Sequence, residues 1–285
     1  MKRALLIGIN YTGSKYELGG CINDINNIEK FIIDNCDYKK ENITKLTDRS
    51  DIKPSRKNIE ESILLLAKDA APGDTLFLYY SGHGSQVSVK EESTDESTDE
   101  TNDETNDETN GILTGDRDDD VLVPIDYKKN GFIRDVWLYE NLANVLPKGV
   151  TLWSFADCCH SGTMLNLEYN LIYQRQKNKK KEYKSEDWLD QYTLFLINKS
   201  KKKIETEADV YMFSGCLDSQ TSADTGEQGA FTGSFLEILN SSNYKERKLI
   251  DILKEIDCRL NIDGFTQIPQ LSIGNLDDIY KNLYL

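Results

Sequence analysis

Three short apolar runs, at Arg3 to Ile9, Thr75 to Tyr80 and Thr151 to Ala156, break off abruptly into polar, glycine-punctuated sequence: G-I-N-Y-T-G, S-G-H-G and D-C-C-H-S-G. Runs of this length, bounded by turn residues, read as buried strands. Between them, helices are written at three- and four-residue spacing. Ile22, Ile25, Ile28, Phe31 and Ile32 line one helix, with Cys21 and Asp24 in its first turn, and Ile59, Ile63, Leu66 and Ala67 line a second after Pro54-Ser55. Further helices are expected over Val136 to Leu146, Thr232 to Leu239 and Leu249 to Leu260, a further strand at Asp209 to Ser214, and an edge strand at I-P-Q-L-S on account of its proline. Strands interleaved with helices make a mostly parallel sheet covered on both faces, a three-layer α/β/α sandwich. In such sheets ligands sit beyond the carboxyl ends of the strands, so the three polar endings should meet in one crevice.

Charge excludes several functions. The formal net charge is −15. The stretch from Glu91 to Asp120 alone holds fourteen acids against Arg117, which is −13 of that total, so the rest is close to neutral. Within it, S-T-D-E and T-N-D-E repeat from Ser93 to Glu108 without one apolar side chain, and the composition predicts a disordered acidic insertion over about residues 90–112. Nucleic acid is not expected as a partner, because the one dense basic run, Lys177 to Lys184, lies in a polar stretch that reads as a linker or flap. No window reaches the ~18 apolar residues of a membrane span. The six cysteines show no C-x-x-C pair, which favours thiols in a reducing, cytoplasmic setting. With only two histidines, a zinc site of the usual kind is not expected.

A thiol becomes a nucleophile when a nearby imidazole or helix N-terminus stabilises its thiolate, and that imidazole can then protonate a leaving amine. His83, between Gly82 and Gly84, is placed to pair with Cys159 or Cys158 across neighbouring strand ends. His160 is adjacent to the thiols in sequence, a position from which side chains rarely meet.

Taken together, K-R-A-L-L-I-G-I-N-Y-T-G-S with G-C-I-N-D, L-Y-Y-S-G-H-G-S-Q, D-C-C-H-S-G-T and M-F-S-G-C-L-D-S-Q-T-S-A-D resemble the successive motifs of the metacaspases, caspase-fold cysteine peptidases. The resemblance implies a caspase-like α/β/α sandwich and a cysteine endopeptidase acting after Arg or Lys. His83 is then the catalytic histidine and Cys159 the nucleophile, with the backbone N–H groups of Gly84 and Cys159 as oxyanion donors. Cys158 stands where such proteins often carry serine. The substrate pocket maps onto Asp24 and Asp157 with Cys21 and Ser81 beside them, and two carboxylates facing a guanidinium give charge-assisted recognition that an aspartate side chain would not receive.

Calcium as an activator maps in part onto Asp119 and Asp120. The family's acid seven residues beyond the nucleophile is Asn166, which predicts a weaker calcium dependence. The resemblance also divides the chain into a large-subunit-like region (1–173), a basic linker (174–205) where self-cleavage is expected, and a small-subunit-like region (206–285). This is the layout of a monomeric type I metacaspase without a prodomain. The rival reading is a catalytically silent scaffold on the same fold, which would be expected to have lost the thiol or the histidine.

Overall fold

Strand β1 (Lys2–Gly8) buries every residue from Ala4 to Gly8, as a strand covered on both faces must. In the computed structural model, which describes residues 1–88, 118–159, 164–175, 192–197, 206–216, 226–241 and 243–285, β1 lies between β2 (Ile43–Thr47) and β3 (Thr75–Ser81), parallel to both. The parallel run continues through β7 (Thr151–Asp157) and β10 (Asp209–Ser214). Three antiparallel strands then complete the sheet, β11 (Gln270–Ile273), β8 (Tyr169–Arg175) and β9 (Tyr192–Ile197), in the order β2-β1-β3-β7-β10-β11-β8-β9. A small antiparallel sheet of β4 (Gly84–Ser88), β5 (Asp118–Leu122) and β6 (Ile133–Arg134) follows directly from the His83 turn.

Alternation along the strands builds two cores. Ala4, Leu6, Phe77, Tyr79, Trp153, Phe155, Tyr211 and Phe213 face helices α1 (Cys21–Cys36), α5 (Ala230–Leu239) and α6 (Leu249–Ile262). Leu5, Ile7, Leu76, Leu78, Tyr80, Leu152 and Met212 face the other way. That second face packs against α2 (Arg56–Ala67) and, after the one-turn α3 (Tyr127–Asn130), against α4 (Asp135–Leu138) with its π-helical continuation Tyr139–Ala143. The first core is aromatic: Phe155 lies 5.2 Å from Phe77, 5.7 Å from Phe213 and 4.7 Å from Phe235, measured between ring centroids. Pairs of this kind contribute about 0.5–1.5 kcal/mol each beyond area burial, and they make a stiff floor beneath the ends of β3 and β7. On the second face Ser55 caps α2 by accepting the Asn58 N–H, and the helix buries Ile59, Ile63 and Leu66. Truncating Ile59 or Ile63 to alanine should cost about 2–5 kcal/mol in a denaturant titration.

The three-layer, mostly parallel sandwich expected from the sequence is the fold observed. One strand assignment is corrected. The I-P-Q-L-S segment is not an edge: β11 sits between β10 and β8, because Pro269 falls one residue before the ladder and removes no donor from it. The apolar patch Leu194 to Ile197 is part of β9, which takes the edge. The acidic repeat 93–108, His160 to Thr163 and the lysine-rich stretch 176–191 lie outside the described residues.

Candidate active site

Ser81 at the end of β3 and Asp157 at the end of β7 are register partners, and the Gly82 N–H reaches the Asp157 carbonyl at 3.4 Å. Each strand runs on two residues to a candidate catalytic side chain, His83 on one and Cys159 on the other. The two thiols part company at this point. Cys158 is 1% exposed and belongs to the core on the α2 face, whereas Cys159 is half-buried and open to solvent. Gly84 presses against the turn that carries them: a Cβ there would stand 1.9 Å from the Cys159 carbonyl oxygen and 3.2 Å from Cys158 Sγ. Gly84→Ala should therefore displace the Cys159 peptide and destabilise the fold by about 1–3 kcal/mol, read as a lowered urea midpoint accompanied by loss of Cys159 alkylation.

The loop after β1 wraps His83. Its Nε2 lies 2.8 Å from the Tyr16 carbonyl oxygen. A carbonyl can only accept, so Nε2 carries the proton and Nδ1 is the basic nitrogen of the neutral ring. The Tyr16 ring meets the imidazole edge-on at 6.4 Å, and the Tyr11 ring lies 4.7 Å away. Tyr11 holds a left-handed backbone (φ 51°), a conformation costing about 1–3 kcal/mol for a residue of its bulk. Burial pushes its phenol far above the ordinary range, so it stays a hydrogen-bond donor.

The four residues expected to form the substrate pocket converge on the α1 and α5 face. Asp24, in the first turn of α1, is 0% exposed; it accepts the Ser81 hydroxyl at 2.7 Å and the Gly229 N–H at 2.9 Å. Asp157 is 5% exposed; its Oδ2 accepts both the N–H of Thr232 at 2.9 Å and its hydroxyl at 2.7 Å. With the Thr232 proton thus committed, Tyr79 donates to Thr232 Oγ1 at 2.8 Å. Burial first, and then the charges of Asp157 and Asp24, drive the Tyr79 phenol well above its ordinary pKa. Cys21 is buried at the start of α1. The N-terminus of α5 thus meets the acid pair, with Gly229 against both: a Cβ there would fall 2.1 Å from Asp157 Oδ2 and 3.0 Å from Asp24 Oδ2. A helix N-terminus offers unsatisfied N–H groups and positive potential, which favour negative charge placed against it.

This arrangement coincides with a family match. The model of the metacaspase peptidase C14 domain fits residues 2–168. Metacaspase-1 of Candida albicans is 36% identical over 96% of this chain and 65% of its own length, and Metacaspase-1 of Cryptococcus neoformans is 34% identical over 96% and 62%. Metacaspase-1B of Aspergillus terreus is 33% identical over 98% of this chain and 76% of its own. The chain belongs to the metacaspase family. It spans a little under two thirds of the length of the first two of these relatives. A crystal structure of a protein from Geobacter sulfurreducens superposes with a TM-score of 0.61 over 99% of this chain and 98% of the other, at 24% identity, a likeness of fold alone.

For this metacaspase the two acids expected to bind calcium lie on β5, in the small sheet rather than among the four residues expected to line the substrate pocket. Asp119 is ion-paired with Arg134 at 2.7 Å, and Asp120 accepts from Gln86 Nε2 at 2.9 Å. Asn166 is buried with a left-handed backbone (φ 48°). Among the described residues no cluster of three or more His, Cys, Asp or Glu side chains forms a metal cage. Asp119 and Asp120, the first of them ion-paired with Arg134, supply by themselves fewer oxygens than the six to eight that a calcium ion takes.

Gly229, Thr232 and the tyrosines around His83 were not singled out from the sequence. A signal for the first two exists in Q-G-A-F-T-G-S, a run of small residues opening a helix, which permits a close approach of helix N-terminus to anion. The tyrosines carry no signal beyond Tyr11 lying within the first motif and Tyr80 near the end of β3; Tyr16 falls outside both.

Proposed function

We propose that this metacaspase is a cysteine endopeptidase that cuts after Arg or Lys, with Cys159 as nucleophile and His83 as acid and base. The observation carrying this is the contrast at the end of β7: one thiol is sealed in the core, while the other is open beside a histidine turn whose Nε2 is already committed. Nδ1 takes the Cys159 proton, the thiolate attacks the substrate carbonyl carbon, and the oxyanion forms at the Gly84 and Cys159 N–H groups. Each such donor is worth about 2.7–4 kcal/mol of transition-state stabilisation. Collapse expels the amine, which leaves with the proton from His83, and a thioester remains on Cys159. Water then attacks the thioester, giving its proton to His83, and hydrolysis restores the thiol.

Asp24 and Asp157 supply the charge that selects a basic side chain. Both carboxylates are enclosed, so admitting a guanidinium requires the stretch from Gly226 to Gly229 to yield. A panel of fluorogenic peptides ending in Arg, Lys or Asp tests the reading. Release after Arg and Lys supports it, and release after Asp, or none at all, overturns it.

Calcium takes no part in these steps. We expect turnover to respond little to calcium or chelator, and Asn166→Asp to increase the response, since a carboxylate adds charge at a backbone position that Asp tolerates as readily as Asn. The check is activity against free calcium for both proteins; an unaltered response in the variant removes residue 166 from any calcium effect. Self-cleavage is proposed within residues 174–203 of the basic linker, with Cys159→Ala as control. An active chain that stays unclipped rejects it.

A further inference from the structure

The strained loop after β1 does more than close over the site. The Tyr11 hydroxyl lies 2.6 Å from the Val123 carbonyl oxygen, to which it must donate, and it accepts the His83 N–H at 3.0 Å. From the other side the Tyr80 hydroxyl donates to the His83 carbonyl at 2.7 Å, and the two phenol oxygens are 3.2 Å apart. The Val123 N–H also reaches the His83 carbonyl, at 3.2 Å. Both polar groups of the His83 backbone are therefore tied to buried phenols, a firmer anchorage than a glycine-flanked turn has by itself.

Tyr11 is in turn held from behind. The Asp48 carboxylate accepts the N–H groups on either side of it, from Asn10 at 2.9 Å and from Thr12 at 2.8 Å. Asn10 ties the same loop to α1 by accepting the Ile22 N–H and donating to the Gly19 carbonyl. This clamp supports the left-handed backbone of Tyr11 and sets its ring against the imidazole. It also fixes the following turn, which delivers the Tyr16 carbonyl to Nε2. A backbone outlier held by so many bonds, next to a reacting group, marks strain retained for positioning.

We propose that Tyr11 is a positioning residue for His83: clamped by Asp48, its hydroxyl fixes the His83 main chain and its ring fixes the imidazole, so that Nδ1 is presented to Cys159. The proposal rests on the peptidase reading for its meaning, though not for its test. Tyr11→Phe keeps the ring and removes the hydroxyl. On an Arg-ending peptide kcat should fall about 10- to 100-fold, as for a base displaced by a fraction of an ångström, with KM little changed.

Two readouts do not need turnover. The chain has two histidines, so imidazole nitrogen spectra assigned with a His160→Gln variant report the His83 tautomer directly. The pH dependence of Cys159 alkylation by iodoacetamide reports the thiol and imidazole pair. In Tyr11→Phe the Nε2–H tautomer should lose population and the alkylation midpoint should move. Tyr38→Phe, which deletes a buried hydroxyl that has no hydrogen-bond partner among the described residues and lies outside the site, should match wild type. If folded Tyr11→Phe gives the wild-type spectrum and alkylation profile, the proposal fails. If wild type cuts no peptide while Tyr11→Phe still differs from Tyr38→Phe in both readouts, the peptidase reading fails and the positioning role stands. Should Tyr11→Phe not fold, Tyr80→Phe releases the same turn from its carbonyl side and carries the same expected and overturning results.

Discussion

Cys159→Ala should lower kcat on Arg-ending peptides by at least about 10⁴-fold, since removing a nucleophile leaves only binding and oxyanion stabilisation. Cys158→Ala should lose no more than a few fold. The asymmetry follows from burial: Cys158 is sealed in the α2-face core with Tyr11 and Tyr80, and Cys216 Sγ donates to its backbone carbonyl. Its loss should show in stability, at about 1 kcal/mol or a little more for one buried atom removed, read by urea titration. Initial rates of the two variants against the same peptide decide the matter. Activity that survives Cys159→Ala and disappears in Cys158→Ala would exchange the two roles.

The second large effect concerns the acid pair, whose carboxylates do two things that substitution can separate. Asp157→Asn keeps an oxygen to accept from Thr232, and so keeps the cap on α5, but removes the charge. We expect kcat/KM for Arg peptides to fall about 10- to 150-fold, given about 1.5–3 kcal/mol for a hydrogen bond to a charged group, while the urea midpoint changes little. Asp157→Ala removes the acceptor as well, leaving the Thr232 N–H and hydroxyl without it, and should add about 1–3 kcal/mol of destabilisation. If Asp157→Asn retains full preference for Arg over an uncharged side chain, the carboxylate is a helix cap and nothing more, and selection of substrate lies elsewhere.

Much of this centre could be read from the chain because its parts stand at the ends of strands. Apolar runs that stop at S-G-H-G and D-C-C-H place His83 and Cys159 at one edge of the sheet once β3 and β7 are neighbours, as they are. Asp24 was legible as a first-turn acid on an amphipathic helix, although its full burial was not. What stayed hidden depends on contacts remote in sequence. Thr232 meets Asp157 across 75 residues, and Tyr11 meets Val123 across 112. β2 escaped notice because Ile43-Thr-Lys-Leu-Thr buries only its last two residues, which gives neither a continuous apolar run nor a clean alternation. Pro269 signals an edge only if it lies inside the ladder, and it stands one residue before β11. The His83 tautomer was beyond any sequence signal, since a main-chain carbonyl from Tyr16 determines it.

The position of β11 bears on how the molecule is assembled. It is made last among the strands, yet it stands between β10 and β8. β8 and β9 therefore leave the ribosome well before the strand that seats them, and wait as a hairpin with an unpaired edge until residues 270–273 arrive. Such long-range closure is slow and exposes a pairing edge meanwhile. A chain that stopped short of Gln270 would forfeit three strands rather than one, while the parallel strands bearing His83 and Cys159 would already have their neighbours.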